Sequence, residues 1–181
     1  VAFGKNTANI HHEPGKSKLK KGDTIMFDFG TTVNHYCSDM TRTHFWGGPN
    51  AKPSAIALRA RQKKVYLDVL GAQELAFEKL NSGEKRAGMI DNIARKYLSK
   101  KFPDNFKHGL GHGVGTVIHE WPNFKPKSED IVPVGCVMTI EPGIYLEGFG
   151  GVRIEDMYLI TKNGAKCLTN VPKSLQDAIL K

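Results

Sequence analysis

The sequence contains few cysteines and no long apolar segment, and each absence excludes a class of protein. Three cysteines occur in 181 residues, and Cys37, Cys136 and Cys167 form an odd set without paired spacing. A disulfide framework is therefore not predicted, and the reducing cytoplasm is the favoured compartment. No run of eighteen or more apolar residues occurs, so the sequence predicts no membrane-spanning helix.

Three familiar catalytic patterns are also missing. No GxSxG nucleophile elbow occurs in the chain. The glycine-rich segment HGLGHGVG lacks the GxGxxG spacing and the later acidic residue of a dinucleotide site. His119 and Glu120 begin an HExxH-like pattern, but Pro122 would break the helix that this zinc motif requires. None of these three chemistries is therefore predicted.

The composition indicates one domain with a basic surface. The chain is 40% hydrophobic with a net charge of +8, and its length allows one substantial core, so a single domain over residues 1–181 is predicted. Apolar residues recur at helical spacing in the basic stretch from 55 to 102. One helix should begin at Pro53 and Ser54 and be closed by Asn81, Ser82 and Gly83, and a second should run from about 85 to 101.

The two predicted helices each have an apolar face and a basic face. The apolar residues are Val65, Leu67, Val69, Leu70, Leu75, Phe77 and Leu80 in the first, and Ile90, Ile93, Ala94, Tyr97 and Leu98 in the second. The basic residues between them are most simply a solvated surface. Nucleic-acid binding is a minor alternative, because no aromatic stacking pattern accompanies the charge.

Four acidic residues and one histidine are the most informative feature that is present. Asp28, Asp39, His112, Glu141 and Glu155 each lie in a short, strand-like segment punctuated by glycine. A carboxylate on an apolar strand is costly to desolvate unless it is paired or bound to a cation. Taken singly, each residue is more simply a turn, cap or structural residue. Four carboxylates and one imidazole together are the ligands expected for two adjacent divalent ions.

The chain also carries a weak internal repeat. GDTIMFDFG places one glycine six residues before Asp28 and another two residues after it, and GCVMTIEPG repeats both distances around Glu141. A second acidic residue follows in each half, Asp39 after eleven residues and Glu155 after fourteen. Upstream, ANIHHEP and TVIHEWP are also alike. Repeated segments indicate repeated structure, here two hairpins that face each other and each supply two carboxylates.

The rest of the pattern predicts strands. Thr24–Phe29 and Val33–Cys37 should form one hairpin, extended by Arg42–Phe45. Val137–Glu141 and Val152–Thr161 should form the core of the other hairpin. We expect a curved sheet with helices on one face and the active site on the other.

The motifs DFG…YCSDMTRT, HGLGHGVG…HE, EPGIY and GGVRIED, in that order, resemble those of the pita-bread metallopeptidases. This family includes Xaa-Pro dipeptidase (prolidase), aminopeptidase P and methionine aminopeptidase, and the resemblance runs from about residue 1 to 169. It implies an α+β pita-bread fold with a pseudo-two-fold axis, in which a curved, mostly antiparallel sheet carries helices on its outer face. The implied metal ligands are Asp28, Asp39, His112, Glu141 and Glu155.

The resemblance also implies a role for each ligand. Asp28 should bind one ion, and Asp39 and Glu155 should bridge the pair. His112 and Glu141 should complete the shell of the other ion. A metal-bridging hydroxide is then the expected nucleophile, and Glu141 the expected proton shuttle to the leaving amine. Manganese is the favoured cofactor for both positions, and cobalt, zinc and iron also suit these ligands.

Three further residues match family positions that contact the substrate or orient a carboxylate. His11 lies seventeen residues before Asp28, and His119 lies seven residues after His112. Arg153 lies two residues before the last acidic ligand. The adjacent His12 is an alternative to His11, although the spacing favours His11. A surface or supporting role without catalytic weight is the alternative for all three, and substrate contact is favoured over it.

The activity that the resemblance implies is hydrolysis of the Xaa-Pro bond at the N-terminus of dipeptides or short peptides. The fourteen-residue gap between Glu141 and Glu155 resembles prolidase-type members more than aminopeptidase P. A methionine aminopeptidase-like enzyme, a creatinase-like enzyme and a catalytically silent binding module stay open as alternatives. The complete ligand set disfavours the last two.

The repeat predicts further structure before Val1. A helix pair precedes the second hairpin, whereas the first half begins within the strand that leads to His11. We therefore expect an N-terminally truncated catalytic domain. A homodimer is expected to cover the apolar surface that a half-covered sheet would expose.

Overall fold

The computed structural model describes residues 1–47 and 60–180, which contain thirteen β-strands, two α-helices and one 3-10 helix. The strands are β1 (Ala2–Phe3), β2 (Thr24–Phe29), β3 (Thr32–Val33), β4 (Tyr36–Cys37), β5 (Met40–Trp46), β6 (Gly111–Gly113), β7 (Glu120–Phe124), β8 (Val137–Ile140), β9 (Gly143–Leu146), β10 (Gly150–Arg153), β11 (Asp156–Thr161), β12 (Gly164–Cys167) and β13 (Ile179–Leu180). The helices are α1 (Ala60–Asn81), α2 (Ala87–Ser99) and the 3-10 helix Gly4–Ala8.

The strands form two larger sheets and two small ones. The first larger sheet has the order β1-β2-β5-β13, and the second has the order β12-β11-β8-β6-β7. All pairings in these sheets are antiparallel except that of β13 with β5. The repeated segments around Asp28 and Glu141 lie in different sheets, at the ends of β2 and β8. The α+β, mostly antiparallel architecture predicted from the sequence is therefore confirmed.

The first predicted hairpin is wrong in its pairing. β2 pairs with β5, which places Asp28 opposite Thr41, whereas β3 and β4 form a separate two-stranded hairpin between them. The reason is local, because Asn34 and His35 both have positive φ angles, of 49° and 69°, and reverse the chain within two residues. The 33–37 segment therefore folds back on itself instead of lying along β2.

The second predicted hairpin is also only partly right. β8 pairs with β11 as expected, but the predicted strand Val152–Thr161 is interrupted at Ile154 and Glu155. Its first part, β10, pairs instead with β9, a strand that the sequence did not predict. This interruption leaves Glu155 at a junction between two sheets.

The helices cover one face of the five-stranded sheet, as predicted. Val69, Ala72 and Ala76 of α1 and Ile90 of α2 belong to one buried cluster with sheet residues such as Met138. Phe77 also stacks on Tyr158 of β11, with ring centroids 4.9 Å apart. Burial of this apolar face is the main contribution to the stability of the helix layer.

The helix boundaries agree with the sequence where the structure describes them. α1 ends at Asn81, within the predicted closing segment 81–83, but its predicted start at Pro53 and Ser54 lies outside the described residues. The assignment of Leu67 and Leu75 to its buried apolar face is wrong, because both side chains are exposed. No helix among the described residues is long and apolar enough to span a membrane.

Candidate metal centre

One cavity of about 500 Å³ brings together every site residue that the sequence predicted. Its lining includes His11, Asp28, Asp39, His112, His119, Glu141, Arg153 and Glu155. These residues span most of the chain and come from both larger sheets, from β10 of a small sheet and from loops. Pockets of this size accommodate small organic ligands.

The strands present the five proposed ligands near strand ends and sheet junctions. Asp28 is the second-last residue of β2, Asp39 lies immediately before β5, and Glu141 lies immediately after β8. His112 lies at the centre of β6, between two glycines. A Cβ atom at Gly113 would lie 2.7 Å from the backbone oxygen of Trp121, so the strand can approach its neighbour only without a side chain there. This explains the glycine-rich sequence around the histidine.

Three of these residues form a buried inner cluster. Asp39 and His112 are each 7% exposed and Glu155 is 2% exposed. One nitrogen or oxygen atom from each residue lies within 4.8 Å of the others. His112 Nε2 is 3.3 Å from Glu141 Oε1 and 3.7 Å from Asp39 Oδ2. Glu141 therefore borders the same cluster.

The crowding of acids in a buried site changes their protonation. Burial raises the pKa of Asp39 to about 6, and repulsion from Asp28 adds to this effect. Burial also raises the pKa of Glu155 well above its usual value, with further repulsion from Glu141 and Asp39. Such a concentration of like charge is unfavourable without a compensating cation.

Glu141 and His112 stabilise each other's charged forms. Burial alone would raise the pKa of Glu141, but the hydrogen bond from His112 outweighs it, and the pKa is lowered. Burial would likewise lower the pKa of His112, but the same contact raises it. Gly113 O accepts from His112 Nδ1 at 3.0 Å, which leaves Nε2 directed at the acids.

The residues present fit divalent cations. Glu155 Oε1 is buried and has no hydrogen-bond partner among the described residues, whereas its other oxygen accepts from Thr41 Oγ1 at 2.8 Å. An unpartnered buried carboxylate oxygen is costly unless a cation contacts it. Carboxylate oxygens and an imidazole nitrogen are ligands for manganese, zinc, iron or cobalt.

Arg153 is fully engaged by the protein. Its Nη2 atom forms an ion pair with Asp28, and Nη1 donates to the hydroxyl of Tyr145 at 2.9 Å. Its Nε atom donates to Thr41 Oγ1 at 3.1 Å, and the residue is 3% exposed. The guanidinium therefore orients the half-exposed carboxylate of Asp28, which is one of the two roles expected for it.

The two predicted histidines lie on the cavity surface. His119 is exposed, and its ring centroid lies 4.3 Å from that of His112 in a T-shaped arrangement. Partial burial, together with the nearby His112, lowers the pKa of His119. His11 is also exposed and lines both this cavity and a neighbouring one of about 330 Å³, whereas His12 lines only the second. The geometry therefore favours His11 over His12 as the residue nearer the acids.

The sequence did not predict several residues that support the site. His108 lines the cavity, and its Nε2 lies 2.8 Å from the hydroxyl of Tyr145. Burial lowers the pKa of His108 and raises that of Tyr145 to about 12. Both residues belong to motifs already noted, since His108 opens HGLGHGVG and Tyr145 closes EPGIY. Thr41, which bonds to Glu155, carried no signal beyond its place in YCSDMTRT.

The pattern of donors in one cavity agrees with the comparison to known families. The family model described as metallopeptidase family M24 matches residues 1–162. The chain belongs to metallopeptidase family M24. Among curated M24-type relatives, an Xaa-Pro dipeptidase from Pyrococcus furiosus is 43% identical over 176 residues. That match covers 97% of this chain but 48% of the relative, so the chain spans about half the length of the curated relatives it matches.

Solved structures confirm the pita-bread fold for this M24 chain. A prolidase from Thermococcus sibiricus superimposes with a TM-score of 0.86 at 41% identity, covering 98% of this chain and 45% of that one. An X-Pro aminopeptidase from Thermotoga maritima gives a TM-score of 0.85 at 35% identity, covering 96% of this chain and 47% of the other. The fold and the metallopeptidase family expected from the motifs are therefore both confirmed.

Proposed function

We propose that residues 1–181 are the catalytic domain of a peptidase that uses two divalent metal ions to hydrolyse the Xaa-Pro bond at the N-terminus of dipeptides or short peptides. The observation that carries the proposal is a single cavity lined by four carboxylates and His112, in which a buried oxygen of Glu155 has no hydrogen-bond partner among the described residues. The substrate class is supported by the relatives, which include proteins named Xaa-Pro dipeptidase and prolidase.

The residues that would hold the ions are Asp28, Asp39, His112, Glu141 and Glu155. When bound, two divalent ions supply Lewis acidity and make a water molecule nucleophilic near neutral pH. Manganese is our preferred metal, and cobalt, zinc and iron suit the same oxygen and nitrogen ligands. Asp28 lies at the more exposed end of the cluster, where its ion pair with Arg153 fixes the position of its carboxylate.

Glu141 is the proposed acid–base residue. Its side chain is 16% exposed, lies 3.3 Å from His112 Nε2, and accepts from Thr139 Oγ1 at 3.5 Å. A carboxylate that is in contact with both the cluster and the cavity can take a proton from the attacking water and pass it to the leaving proline nitrogen. His11 and His119, on the exposed cavity surface, contact the substrate in this proposal.

A peptide panel tests the reaction. The complete protein would be assayed with Ala-Pro, Ala-Pro-Ala and Met-Ala-Ser, first with Mn²⁺ and then with EDTA. EDTA-sensitive cleavage of Ala-Pro identifies an Xaa-Pro dipeptidase, whereas cleavage of Met-Ala-Ser alone identifies a methionine aminopeptidase-like enzyme. No cleavage by a protein shown to hold two metal ions would contradict the proposal and favour a binding module.

The role of Glu141 has a matched control. Glu141→Ala should lower kcat on the cleaved peptide by about 10²- to 10⁴-fold because the proton acceptor is lost. Glu147 is an exposed carboxylate in the turn after β9 and does not line the cavity. Glu147→Ala should leave kcat within about twofold of the parent protein, as expected for a solvated side chain outside the site. Near-normal activity of Glu141→Ala would contradict its assignment.

Longer peptides are a second candidate substrate class. The neighbouring 330 Å³ cavity shares Ile10, His11, Asp28 and Arg153 with the main cavity, so the two cavities adjoin along this wall. The adjoining cavity provides room beyond a dipeptide, and one structural relative is named an X-Pro aminopeptidase. Cleavage of Ala-Pro-Ala in the panel would support this class. We also propose that the protein is cytoplasmic and forms a homodimer.

A further inference from the structure

Two pairs of consecutive residues meet where the two larger sheets adjoin. Thr41 and Arg42 lie in β5 of the four-stranded sheet, Glu155 immediately precedes β11 of the five-stranded sheet, and Asp156 is the first residue of β11. Consecutive residues of an extended chain point to opposite faces. Glu155 accordingly lines the cavity, and Asp156 does not. The junction therefore has a cavity side and a rear side.

The cavity side of the junction is held by neutral and charge-assisted hydrogen bonds. Thr41 Oγ1 donates to Glu155 Oε2 at 2.8 Å, and the backbone nitrogen of Glu155 donates to Thr41 O at 3.1 Å. Beside them, Thr43 Oγ1 accepts from the backbone nitrogen of Arg153 at 3.0 Å and donates to its carbonyl oxygen at 2.8 Å. The Thr41 contacts join β5 directly to the proposed ligand, and the Thr43 contacts join β5 to β10, the strand before it.

The rear side is held by a buried ion pair. Arg42 Nη2 is 2.5 Å from Asp156 Oδ1, and the two residues are 2% and 1% exposed. Arg42 Nη1 also donates to two backbone carbonyl oxygens, that of Glu155 at 2.6 Å and that of Thr41 at 2.9 Å. One guanidinium thus contacts the backbone of both residues whose side chains meet on the cavity side.

The acid of this pair is satisfied by several partners. Asp156 Oδ2 accepts from Lys173 Nζ at 2.5 Å and from Gln73 Nε2 at 3.1 Å. Lys173 remains 30% exposed, so its amine can be solvated if the carboxylate is removed. The proposed reaction uses none of Arg42, Asp156 and Lys173. Charges are expensive to bury at this depth, so a buried ion pair is weak evidence for added stability.

We propose that Arg42 and Asp156 are a positioning pair, which clamps the two sheets so that Glu155 stays directed at Asp39 and His112. The metal-binding consequence rests on the proposed function, whereas the mechanical role does not. A planar guanidinium with several fixed donors suits this task better than an ammonium group. Groups that orient ligands from outside the first shell commonly change metal affinity by about 10- to 100-fold when they are removed.

The double variant R42M/D156N separates positioning from folding. Removing one partner alone would leave a charge buried without its counterion, which destabilises a protein strongly. Removing both charges avoids that effect, and the Thr43 contacts and the apolar core are untouched. The control is D68N/K101M, which removes another ion pair of a poorly exposed aspartate, between α1 and the segment after α2, and neither residue lines the cavity. Both variants would be made in the complete protein.

Amide hydrogen exchange tests the clamp without metal. In protein treated with EDTA, the backbone amide of Glu155 should exchange at least about tenfold faster in R42M/D156N, because its bond to Thr41 loosens. Amides of the buried α2 residues Ile90 and Ala94 should be unchanged in the same sample. Equal protection of Glu155 in the parent and in the double variant would overturn the proposal, whether or not the protein binds metal.

Titration with Mn²⁺ tests the consequence for the site. If the parent binds two ions, R42M/D156N should bind them about tenfold or more weakly at an unchanged circular dichroism spectrum, and D68N/K101M should match the parent. R42K should fall between the two, because it keeps the charge but loses the contacts to both carbonyl groups. Unchanged affinity in the folded double variant would overturn the clamp. Failure of the parent itself to bind Mn²⁺ would overturn the proposed function, and the exchange experiment would still decide the clamp.

Discussion

At the scale of single residues, Glu155 shows how the site depends on support from its neighbours. Its carboxylate is buried, and its accepted hydrogen bond comes from Thr41 alone among the described residues. The same hydroxyl accepts from Arg153 Nε, so one threonine fixes both the proposed ligand and the arginine that holds Asp28. A side chain with no charge of its own thus connects the two ends of the carboxylate cluster.

Replacing Thr41 by valine should weaken the site without changing its shape. The variant leaves two buried polar groups without a partner, so the free energy of unfolding should fall by about 1–3 kcal/mol. Affinity for Mn²⁺ should fall by about 10- to 100-fold. Thr41→Ser keeps the hydroxyl and should retain most of both quantities, measured by urea denaturation and calorimetric titration. Metal binding by the valine variant at parental strength would show that the hydroxyl does not orient Glu155.

At the scale of the elements, close backbone contact fixes the start of α2. The backbone nitrogen of Ala87 donates to Asp130 O at 2.9 Å, and Arg86 bridges to Ile131. Gly88 follows directly, and a Cβ atom there would lie 2.5 Å from the backbone oxygen of Ser128. The helix can therefore lie against this loop only because the residue has no side chain.

Gly88→Ala should destabilise the protein, although the same change usually stabilises a helix by up to about 1 kcal/mol. The clash with a backbone oxygen cannot be relieved by a rotamer change, so we expect a loss of about 1–3 kcal/mol. Gly71→Ala in α1 is the control, because its Cβ atom would meet the Tyr97 hydroxyl, the end of a side chain, at 3.0 Å. Urea denaturation midpoints compare the two. A midpoint for Gly88→Ala above the parent would contradict the packing argument.

The elements also show where local patterns stop being informative. The end of α1 and the position of β2 follow from apolar periodicity and from turn residues, and both were predicted from the sequence. The pairing of β2 with β5 was not, because alternation shows that a segment is extended but not which strand lies beside it. The positive φ angles at Asn34 and His35 form the tight turn that pairs β3 with β4. The sequence did not predict this turn, because neither residue is a glycine.

At the scale of the whole molecule, the cluster of acids should make stability depend on metal. Binding of an ion to the folded state alone, at one hundred times its dissociation constant, adds about 2.7 kcal/mol for each site. The thermal midpoint should therefore fall on addition of EDTA and recover with excess Mn²⁺. The E155Q variant, which removes a charge from the inner cluster, should show a smaller EDTA effect. An EDTA effect of the same size in both proteins would place the ion elsewhere.

The stability of the whole molecule should also depend on pH through His44, which lies in β5 away from the proposed ligands. Burial lowers its pKa below the usual 6.5, and the nearby Arg42 lowers it further, although backbone contacts at Asp177 and Ala178 oppose the shift. The unfolded chain then takes up a proton near pH 6.5, before the folded chain does. The free energy of unfolding should therefore decrease as pH falls from about 6.5 towards the lower pKa of the folded state.

His44→Gln isolates this contribution. Urea denaturation of both proteins in EDTA, at several pH values between 5 and 8, gives the free energy of unfolding against pH. A single group changes the slope by at most about 1.4 kcal/mol per pH unit. The parent curve should fall more steeply than the variant curve below pH 6.5 and run parallel to it above. Parallel curves throughout the range would mean that His44 titrates alike in both states.

The amino-acid sequence by itself determined which side chains could carry chemistry, because the ligand-type residues stand in short repeated motifs whose spacing is a property of the chain. It also determined the amphipathic helices, since helical periodicity is local. Only the tertiary structure decided which strands pair, that Arg153 is committed to Asp28, and that Arg42 and Asp156 clamp the sheets behind Glu155. The two arginine contacts join residues more than one hundred positions apart, and the energies of all these contacts depend on burial and on the neighbouring sheet, which no local pattern encodes.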